Sequence, residues 1–535
     1  MNKLGTFAAA GTIIVGLLTA LLGTALPAHT AGWQEKVDPW VLAEATQREA
    51  AFILFLKEQA DTSRAREQPT QLAKAAYVYR QLTAVAERTQ PPLLTRLQKM
   101  AVPYQSFWVA NMILVRGNLG VVEEVAQWPE VDHIFANPSV RLQEPALAAS
   151  RAPTTVEWNI ARVKAPEVWA AGYTGQGAVV AGQDTGYDWD HPALKEQYRG
   201  WNGAAADHSY NWHDAIHKNN PNTVAGNPCG FSITVPCDDH GHGTHTMGIM
   251  VGDDGGSNQI GMAPGAKWIG CRNMEQGWGT PATYSECFQW FVAPTDSNGQ
   301  NPDVAMAPHI VNNSWSCPPT EGCTDPTVLQ TVVENVRAAG ILVVASAGND
   351  GSSCNTINKP VAIYDASFTV GSTTSSDTIS SFSSRGPVTV DGSNRLKPDI
   401  VAPGSGIRSS YPGSRYLSLS GTSMAAPHVA GLAALLIDIE PSLAGFPGSI
   451  EDVIKLSAVA QTTGQGCGSD APDAVPNNVY GYGRIDALAA LKWLVPTAVR
   501  LRATAVHSLL PGAVWLVALV ASITLLLFWL RRHNF

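Results

Sequence analysis

Blocks of lysine and arginine are missing from this 535-residue sequence, in which only 15% of the residues are charged. The formal net charge is -9, and the sequence has no cluster of basic residues. Phosphate binding needs such a cluster, so nucleic acid is not expected as a partner. Hydrophobic residues make up 45% of a chain that is too long for one ordinary domain. We expect a main domain with a large core, appended segments and an acidic, soluble surface.

Cysteine is missing before Cys229 and after Cys467, and all eight cysteines lie in the stretch that these two positions bound. An even and clustered set of cysteines in an exported protein indicates disulfides rather than metal ligands or a thiol nucleophile. The sequence alone does not fix the connectivity. Proximity along the chain favours the pairs Cys229 with Cys237, Cys271 with Cys287, and Cys317 with Cys323, which leaves Cys354 for Cys467.

Export is indicated by the first residues, Met-Asn-Lys, and by the apolar run over residues 7–26 that follows them. This layout, with small residues at Ala28 and Ala31, predicts an export signal over residues 1–31. An uncleaved N-terminal anchor is the alternative, because the run approaches the roughly 20 residues that span a membrane. In both cases the chain leaves the cytoplasm.

Residues 33–142 contain no cysteine and little glycine, and their apolar pattern predicts a small module of helices and strands. The predicted helices cover residues 42–56, 71–88 and 121–126, and the predicted strands cover residues 106–115 and 131–136. Residues 143–155, rich in Ala, Pro, Ser and Thr, are predicted to be a linker and processing region.

From residue 156 onward, short apolar β-branched runs alternate with helical stretches and glycine-rich turns. Strands that alternate with helices predict an α/β fold whose parallel sheet carries helices on both faces and binds ligands beyond the carboxyl ends of its strands. Asp184 is expected three residues past the first of these strands. Strands are predicted over residues 177–181, 266–271, 310–312 and 341–345, and helices over residues 284–292, 326–339 and 425–439.

Residues 421–431 read Gly-Thr-Ser-Met-Ala-Ala-Pro-His-Val-Ala-Gly and precede an apolar run. Gly421 allows a tight turn, so Ser423 is predicted on the first turn of a buried helix, beside backbone N–H groups that have no helical partner. This position suits an oxygen nucleophile whose reaction places negative charge on a neighbouring carbonyl oxygen. Taken alone, the pattern also fits a serine that caps a core helix.

The segment resembles the nucleophile motif of the subtilisin-like serine proteases, or subtilases, and all its positions fit that family. An acid, a histidine and an asparagine precede the serine in subtilases, and matching motifs occur here in that order at Asp184-Thr-Gly, His242-Gly-Thr-His and Gly-Asn349-Asp. The resemblance implies that Ser423 is the nucleophile and His242 the general base. It also implies that Asp184 orients His242 and that Asn349 donates to the oxyanion. It covers about residues 156–491.

Each of these motifs has another interpretation when it stands alone. Asp-Thr-Gly occurs in aspartic proteases and in turns, and Asn-Asp-Gly is a turn sequence. His240, His242 and His245 could suggest a metal site, but their spacing matches no zinc-hydrolase motif and no glutamate accompanies them. We therefore expect no cofactor for catalysis and a packed structural role for His245. Subtilases are often stabilised by calcium. The sequence contains no contiguous ligand loop, so it leaves the presence of a structural calcium ion undecided.

Residues 312–316, Asn-Asn-Ser-Trp-Ser, resemble the subtilase strand that pairs with the substrate backbone. Ser316 departs from the family pattern, in which glycine is usual, and its side chain would narrow the cleft. Asp350 borders the primary specificity pocket in subtilases, so we expect a mild bias toward Lys or Arg before the scissile bond. The predicted substrate-binding residues are Ser314, Trp315, Ser316, Ala347, Gly348 and Asp350. The residues of this motif and the cysteine pattern are most similar to those of the bacillopeptidase F-like branch.

The resemblance also assigns roles to both ends of the chain. The small α+β module over residues 33–150 resembles a subtilase propeptide that acts as chaperone and intramolecular inhibitor, with a permanent N-terminal domain as the alternative. The predicted catalytic domain over residues 156–495 is followed by a linker over 496–512. Residues 513–530 form an uncharged apolar run that predicts a transmembrane helix, and the Arg-Arg-His after it places residues 531–535 in the cytoplasm. A buried core helix is the alternative for this run.

The combined prediction is a secreted or membrane-tethered serine endopeptidase, made as a self-processed precursor, that acts as a monomer on peptides or proteins. A subtilase-shaped binding or adhesion protein without catalysis is the alternative, although all four catalytic positions are intact. An esterase elbow of the form Gly-x-Ser-x-Gly does not fit, because Ser423 lies in Gly-Thr-Ser-Met-Ala.

Overall fold

A computed structural model describes residues 32–148, 155–223 and 226–495 of the chain. Two folded parts follow each other within these ranges: an N-terminal module up to residue 148 and a main domain from residue 155. The export signal predicted over residues 1–31 lies outside the described residues. The same holds for the linker, the transmembrane helix and the tail predicted over residues 496–535.

The N-terminal module is a four-stranded antiparallel sheet with strand order β2-β3-β1-β4, packed against helices. Its elements are α1 (Pro39–Gln47), β1 (Ala50–Leu56), α2 (Gln71–Lys99), β2 (Tyr104–Phe107), β3 (Met112–Gly117), α3 (Leu119–Ala126) and β4 (Val131–Ala136). Two short strands follow, β5 (Val140–Arg141) and β6 (Ala146–Leu147), and both pair with the main domain.

The prediction of one helix over residues 42–56 is wrong, because α1 ends at Gln47 and the rest of the run is the strand β1. Both faces of β1 are buried, with Phe52 and Leu54 in the core of the module and Ile53 in the core shared with the main domain. A strand that is buried on both faces reads as a continuous apolar run, and periodicity does not distinguish such a run from a buried helix.

Two further boundaries of the module differ from the prediction. Residues 106–115 are not one strand, because the chain turns between β2 and β3, where Asn111 takes a positive φ of 40°. Asparagine tolerates this conformation better than most residues do. Helix α2 continues past residue 88 to Lys99, since Leu93 and Leu97 extend its buried face. Helix α3 and strand β4 confirm the predictions over residues 121–126 and 131–136.

The main domain has the predicted α/β architecture, with a seven-stranded sheet in the order β15-β14-β13-β12-β7-β9-β8, all neighbours parallel. The strands are β7 (Val179–Asp184), β8 (Trp212–Asp214), β9 (Lys267–Arg272), β10 (Met274–Glu275), β11 (Trp278–Gly279), β12 (Ile310–Asn313), β13 (Leu342–Ser346), β14 (Phe368–Thr373), β15 (Ile400–Pro403), β16 (Ile407–Tyr411) and β17 (Arg415–Ser420). The helices are α4 (Trp158–Arg162), α5 (Ala165–Ala170), α6 (His242–Val251), α7 (Pro281–Val292), α8 (Gln330–Ala338), α9 (Thr422–Ile439), α10 (Pro447–Leu456) and α11 (Ala487–Leu494).

Helices cover both faces of the parallel sheet. Along β13, Leu342 and Val344 belong to the core that contains α6 and α9, whereas Val343 and Ala345 belong to the core that contains α7 and α8. Residues of the N-terminal module, among them Val78, join this second core. The module therefore packs on the α7 and α8 side of the sheet.

All four predicted cysteine pairs form disulfides. The sequence separations are 8, 16, 6 and 113 residues for Cys229–Cys237, Cys271–Cys287, Cys317–Cys323 and Cys354–Cys467. Among the described helices, only α9 is long and apolar enough to cross a membrane, and its apolar window is 89% buried. Burial of this degree is what a core helix of a soluble domain requires.

Candidate active site

Ser423 lies in the first turn of α9, as predicted, and is 3% exposed. The residue at the N-cap is Gly421, so the interpretation of Ser423 as a helix-capping serine is wrong. Gly421 is extended, with φ of 173° and ψ of 161°, and carries the chain from β17 directly into the helix. The N–H groups of the first turn have no helical acceptor, which makes this turn suited to a developing negative charge.

Asp184 and His242 form a buried pair at the carboxyl end of the sheet. Asp184 is the last residue of β7 rather than three residues beyond it, and His242 is the first residue of α6. Nδ1 of His242 donates to Oδ1 of Asp184 at 2.7 Å, and the side chains are 1% and 2% exposed. The backbone N–H of Thr185 donates to the same oxygen at 2.8 Å. With its proton on Nδ1, the imidazole has a free lone pair on Nε2 that can accept a proton.

The hydroxyl of Ser423 is not bonded to His242 in this structure. It donates to the carbonyl oxygen of Ser314 at 3.1 Å, and Nε2 of His242 has no hydrogen-bond partner among the described residues. Rotation about the side-chain bond of Ser423 would be needed to exchange one acceptor for the other. Such bonds are often absent in resting proteases and form only with substrate.

Asn349 follows β13 and is fixed by the residue before the serine. Its Oδ1 accepts from the backbone N–H of Thr422 at 2.8 Å and from the Thr422 hydroxyl at 2.9 Å. Because Oδ1 accepts both of these hydrogen bonds, Nδ2 of Asn349 remains free to donate. Nδ2 has no hydrogen-bond acceptor among the described residues. This arrangement suits hydrogen bonding to an oxyanion beside Ser423.

The predicted substrate-binding residues flank these groups on two loops. Ser314, Trp315 and Ser316 follow β12, and Trp315 is buried with its ring stacked on Tyr284 at a centroid distance of 3.8 Å. Ser316 is half-buried.

Ala347, Gly348 and Asp350 surround Asn349 on the loop that follows β13. Gly348 has a φ of 102°, a conformation that other residues rarely adopt. Oδ2 of Asp350 lies 2.6 Å from Nζ of Lys359. The predicted bias toward cationic substrates loses its basis here, because this lysine already neutralises the carboxylate.

Residues 140–148 run along the same site, and the sequence, which predicts a processing region from residue 143, did not indicate which of these residues contact it. Strand β5 pairs with β11, and the backbone N–H of Leu142 donates to the carbonyl of Gly277 at 2.7 Å. Beyond it, β6 pairs with β17, where Ala146 lies opposite Ser420, three residues before Ser423. The chain between these two pairings therefore passes over the candidate catalytic residues.

Two side chains of this segment contact residues of the site. The Gln143 amide donates from Nε2 to the carbonyl of Asn349 at 3.2 Å and accepts at Oε1 from its N–H at 3.3 Å. The next residue, Glu144, places Oε1 2.9 Å from Nε2 of His240. Neither Gln143 nor Glu144 belongs to a motif, so only the fold identifies them.

Two other histidines near the site are neutral and packed. Burial lowers the pKa of His245 to about 3, and its Nε2 lies 3.0 Å from the carbonyl of Leu417. Burial also lowers the pKa of His428 to about 4, and this ring lies between Asn159 and the carbonyl of Met424. The structural role predicted for His245 agrees with this environment. Among the described residues, no group of three His, Cys, Asp or Glu side chains is arranged to hold a metal ion.

The parallel sheet, the buried Asp184–His242 pair and a serine on the first turn of α9 define a serine hydrolase of subtilisin-like architecture. The Subtilase family profile matches residues 175–483, and the chain belongs to this family of serine endopeptidases.

Relatives of known identity agree with this assignment. The chain is similar to Bacillopeptidase F of Bacillus subtilis (strain 168), with 38% identity over 448 residues that cover 79% of this chain and 29% of the relative. It thus spans less than a third of the length of that protein. The predicted resemblance to the bacillopeptidase F-like branch is confirmed. M-protease of Shouchella clausii (strain KSM-K16) is 30% identical over 68% of this chain and 77% of its own length.

A solved structure shows the same fold at low sequence identity. It is the S393A mutant of the epidermin leader peptide processing serine protease from Staphylococcus aureus, at a TM-score of 0.59 and 18% identity. The similarity covers 83% of this chain and 99% of that one. It therefore includes more of the chain than the main domain alone.

Proposed function

We propose that this chain is an exported serine endopeptidase that is made as a self-processed precursor. The observation that carries the proposal is the buried hydrogen bond of 2.7 Å between His242 and Asp184, which leaves Nε2 of His242 as a base. A base oriented in this way, next to a helix that presents Ser423, is the arrangement that activates a serine hydroxyl.

In the proposed reaction Ser423 attacks the carbonyl carbon of a peptide bond while His242 takes its proton. Asp184 keeps the imidazole in the correct tautomer and stabilises the imidazolium. The oxyanion accepts from Nδ2 of Asn349 and from the N–H of Ser423. His242 then returns the proton to the leaving amine, and water hydrolyses the acyl-enzyme by the same steps in reverse.

The proposal is tested by replacing the nucleophile. We expect Ser423→Ala to abolish cleavage of casein and of peptide substrates, and Ser442→Ala, at an exposed serine, to leave the activity unchanged. Both proteins should have the same near-UV circular dichroism. Persistent hydrolysis by purified Ser423→Ala would disprove the assigned nucleophile.

The N-terminal module is proposed to be the propeptide, and its contacts with the main domain support this role. The Asn335 side chain of α8 donates to the carbonyl of Val109 at 2.7 Å. Asn137 accepts from the N–H of Ala282 at the start of α7 at 2.8 Å. The buried Lys74 donates to the carbonyl of Gly445 at 2.8 Å. Contacts of this kind order the surfaces of both helices and would assist folding of the domain.

The segment over residues 140–148 suggests how the module inhibits and where it is cut. Leu142 pairs with Gly277 before the catalytic residues, Gln143 is bonded to Asn349, and Ala146 pairs with β17 after them. Gln143 is the residue that Asn349 holds, and the peptide bond that follows it is Gln143–Glu144. We therefore assign it as the bond cleaved in processing, which makes Glu144 the first residue of the mature chain.

Sequencing of the mature N-terminus tests this assignment. Wild-type protein should begin at Glu144, and purified Ser423→Ala should stay at precursor mass in the absence of other proteases. Maturation of Ser423→Ala on its own would contradict self-processing. A mature chain that still carried residues 33–143 would show that the module is a permanent domain.

Export and membrane attachment are proposed from the sequence, since both apolar runs lie outside the described residues. If residues 513–530 span the bilayer, a chain that ends before residue 514 should move activity from the membrane pellet to the medium. The full chain should stay in the pellet. Activity of the shortened chain in the pellet would instead indicate that residues 1–31 act as an anchor.

A further inference from the structure

His240 contacts Glu144, whereas Asn349 contacts Gln143. The two residues therefore lie on opposite sides of the proposed scissile bond. Nε2 of His240 lies 2.9 Å from Oε1 of Glu144, and the two side chains are 19% and 52% exposed. His240 stands two residues before His242 and has no role in the proposed proton transfer. The contact is therefore available for recognition of the residue that follows the cleaved bond.

The position of His240 does not depend on Glu144, because its backbone is fixed on both sides. Its N–H donates to Oδ1 of Asp238 at 3.0 Å, and its carbonyl accepts from the Tyr411 hydroxyl at 2.8 Å. The ring lies against Gly277, where an added Cβ would be 3.3 Å from two ring atoms. The imidazole should therefore stay in the cleft after the segment has been cleaved and released.

The charges around His240 are predominantly negative. Burial by itself would lower the pKa of His240, but the hydrogen bond and charge of Glu144, with Asp238 and Asp184, raise it above the ordinary value. In return, the hydrogen bond from His240 is the main cause that lowers the pKa of Glu144. His242 and Arg141 contribute smaller effects of the same sign on Glu144. A carboxylate in this position therefore meets a ring that favours its charged form.

We propose that His240 is a specificity-determining residue that favours an acidic side chain immediately after the scissile bond. The inference rests on the proposed endopeptidase activity and adds the substrate class: proteins cleaved in front of glutamate or aspartate. The preference is modest because Glu144 is half exposed and water screens the pair. A rate advantage of about two- to fivefold is the size expected for such a pair.

The first test uses the full chain and its own processing. Glu144→Gln keeps the shape of the side chain but removes its charge, so processing should slow by about two- to fivefold in the wild-type background. In a His240→Gln background, the chains with and without Glu144→Gln should process at equal rates. His217→Gln serves as the matched control, since this histidine is bonded to Glu286 away from the segment, and it should preserve the difference.

The second test uses the mature enzyme and two peptides with the sequence of residues 140–147, one with Glu and one with Gln at the position of Glu144. We expect kcat/KM to be about two- to fivefold higher for the Glu peptide, and the advantage to disappear in His240→Gln and to shrink at high salt. Equal rates for the two peptides in wild type, or an unchanged advantage in His240→Gln, would overturn the inference.

The results would distinguish failure of the endopeptidase proposal from failure of the specificity proposal. If neither peptide is cleaved, the endopeptidase proposal fails. Binding of the two peptides to Ser423→Ala, measured by fluorescence anisotropy after proteolytic removal of the module, then still decides the role of His240. Tighter binding of the Glu peptide that depends on His240 supports the inference, and equal binding rejects it.

Discussion

Ser423 and Ser314 exchange hydrogen bonds, each hydroxyl donating to the carbonyl oxygen of the other residue at 3.1 Å. The bond donated by Ser314 has its origin in Pro427, four residues after Ser423 in α9. A helical carbonyl normally accepts from the N–H four residues later, and proline has none, so the Ser423 carbonyl needs another donor. Ser314 supplies it. The turn that carries Ser423 is thereby tied to the loop predicted to bind the substrate backbone.

We predict that Ser314→Ala destabilises the protein. The change leaves the Ser423 carbonyl without its donor, and it also removes the acceptor of the Asn312 amide, which lies 2.9 Å from the Ser314 hydroxyl. Loss of a partner for buried polar groups should lower the free energy of unfolding by about 1–3 kcal/mol. Urea unfolding in a Ser423→Ala background avoids self-digestion and keeps the carbonyl in place. Ser442→Ala, at an exposed position, is the control, and equal midpoints for the two variants would contradict the prediction.

Asn349→Ala is expected to lower kcat by about a hundred- to a thousandfold with little change in KM, the range typical of an oxyanion donor. Thr422→Val should have a weaker effect of the same kind, about two- to twelvefold, because it removes only the hydroxyl bonded to Oδ1 and leaves the backbone N–H. Steady-state kinetics on one peptide measure both variants. A raised KM with unchanged kcat would mean that Asn349 binds the ground state.

The pairing of Asp350 with Lys359 gives a prediction about the residue before the scissile bond. Asp350→Asn should change the preference for Lys or Arg over neutral isosteres by less than about twofold, since the carboxylate is already paired. Lys359→Ala should expose the carboxylate and create a cationic preference of up to about fivefold that weakens with salt. Cleavage of a peptide library by the single and double variants provides the measurement. A strong cationic preference in wild type would point to another acidic group.

Much of the architecture and the positions of the candidate catalytic residues can be predicted from sequence because local motifs encode them. Asp184, His242, Asn349 and Ser423 each lie in a motif whose glycines and small residues set the local backbone, and the order of the motifs along the chain identifies the family. The alternation of strands and helices is sufficient to predict a parallel sheet, but the predicted strands correspond to only four of its seven, β7, β9, β12 and β13, and β8, β14 and β15 are missed.

The contacts made across the fold cannot be predicted in this way. No local pattern indicates that Glu144 reaches His240 or that Lys359 neutralises Asp350, since these pairs depend on how distant loops meet. The strand β1 is a continuous apolar run because the main domain covers one of its faces, and such a run is easily mistaken for a buried helix. Nothing in the local sequence shows that this face is covered. Burial by a partner domain is a tertiary property that periodicity does not contain.

The last prediction concerns Glu286 on α7, a buried carboxylate that binds His213 at 2.8 Å and His217 at 2.7 Å. Gln105 of the N-terminal module donates to its other oxygen at 2.7 Å. Burial alone would raise the pKa of Glu286, but the two histidines lower it from 4.5 to about 2. The hydrogen bond to Glu286 raises the pKa of His217 above 6.5, against the effect of burial.

The signs of these shifts set the pH dependence of stability. A depressed carboxyl pKa contributes stability that is present above about 4.5 and is lost as the pH falls toward about 2. A raised histidine pKa contributes stability that is present below 6.5 and is lost as the pH rises past the folded-state value. Because the His217 side chain is 41% exposed, solvent screens its share. The cluster should therefore stabilise the precursor most between about pH 4.5 and 6.5.

Urea unfolding of the Ser423→Ala precursor from about pH 3 to 9 tests this dependence. Glu286→Gln should be less stable than its parent at about pH 5.5, and the difference should shrink toward both ends of the range. His217→Asn should remove the loss on the alkaline side and keep the loss on the acid side, because His213 still hydrogen-bonds to Glu286. A difference between Glu286→Gln and its parent that stays constant across the range would mean that packing, rather than the charges of this cluster, stabilises this side of α7.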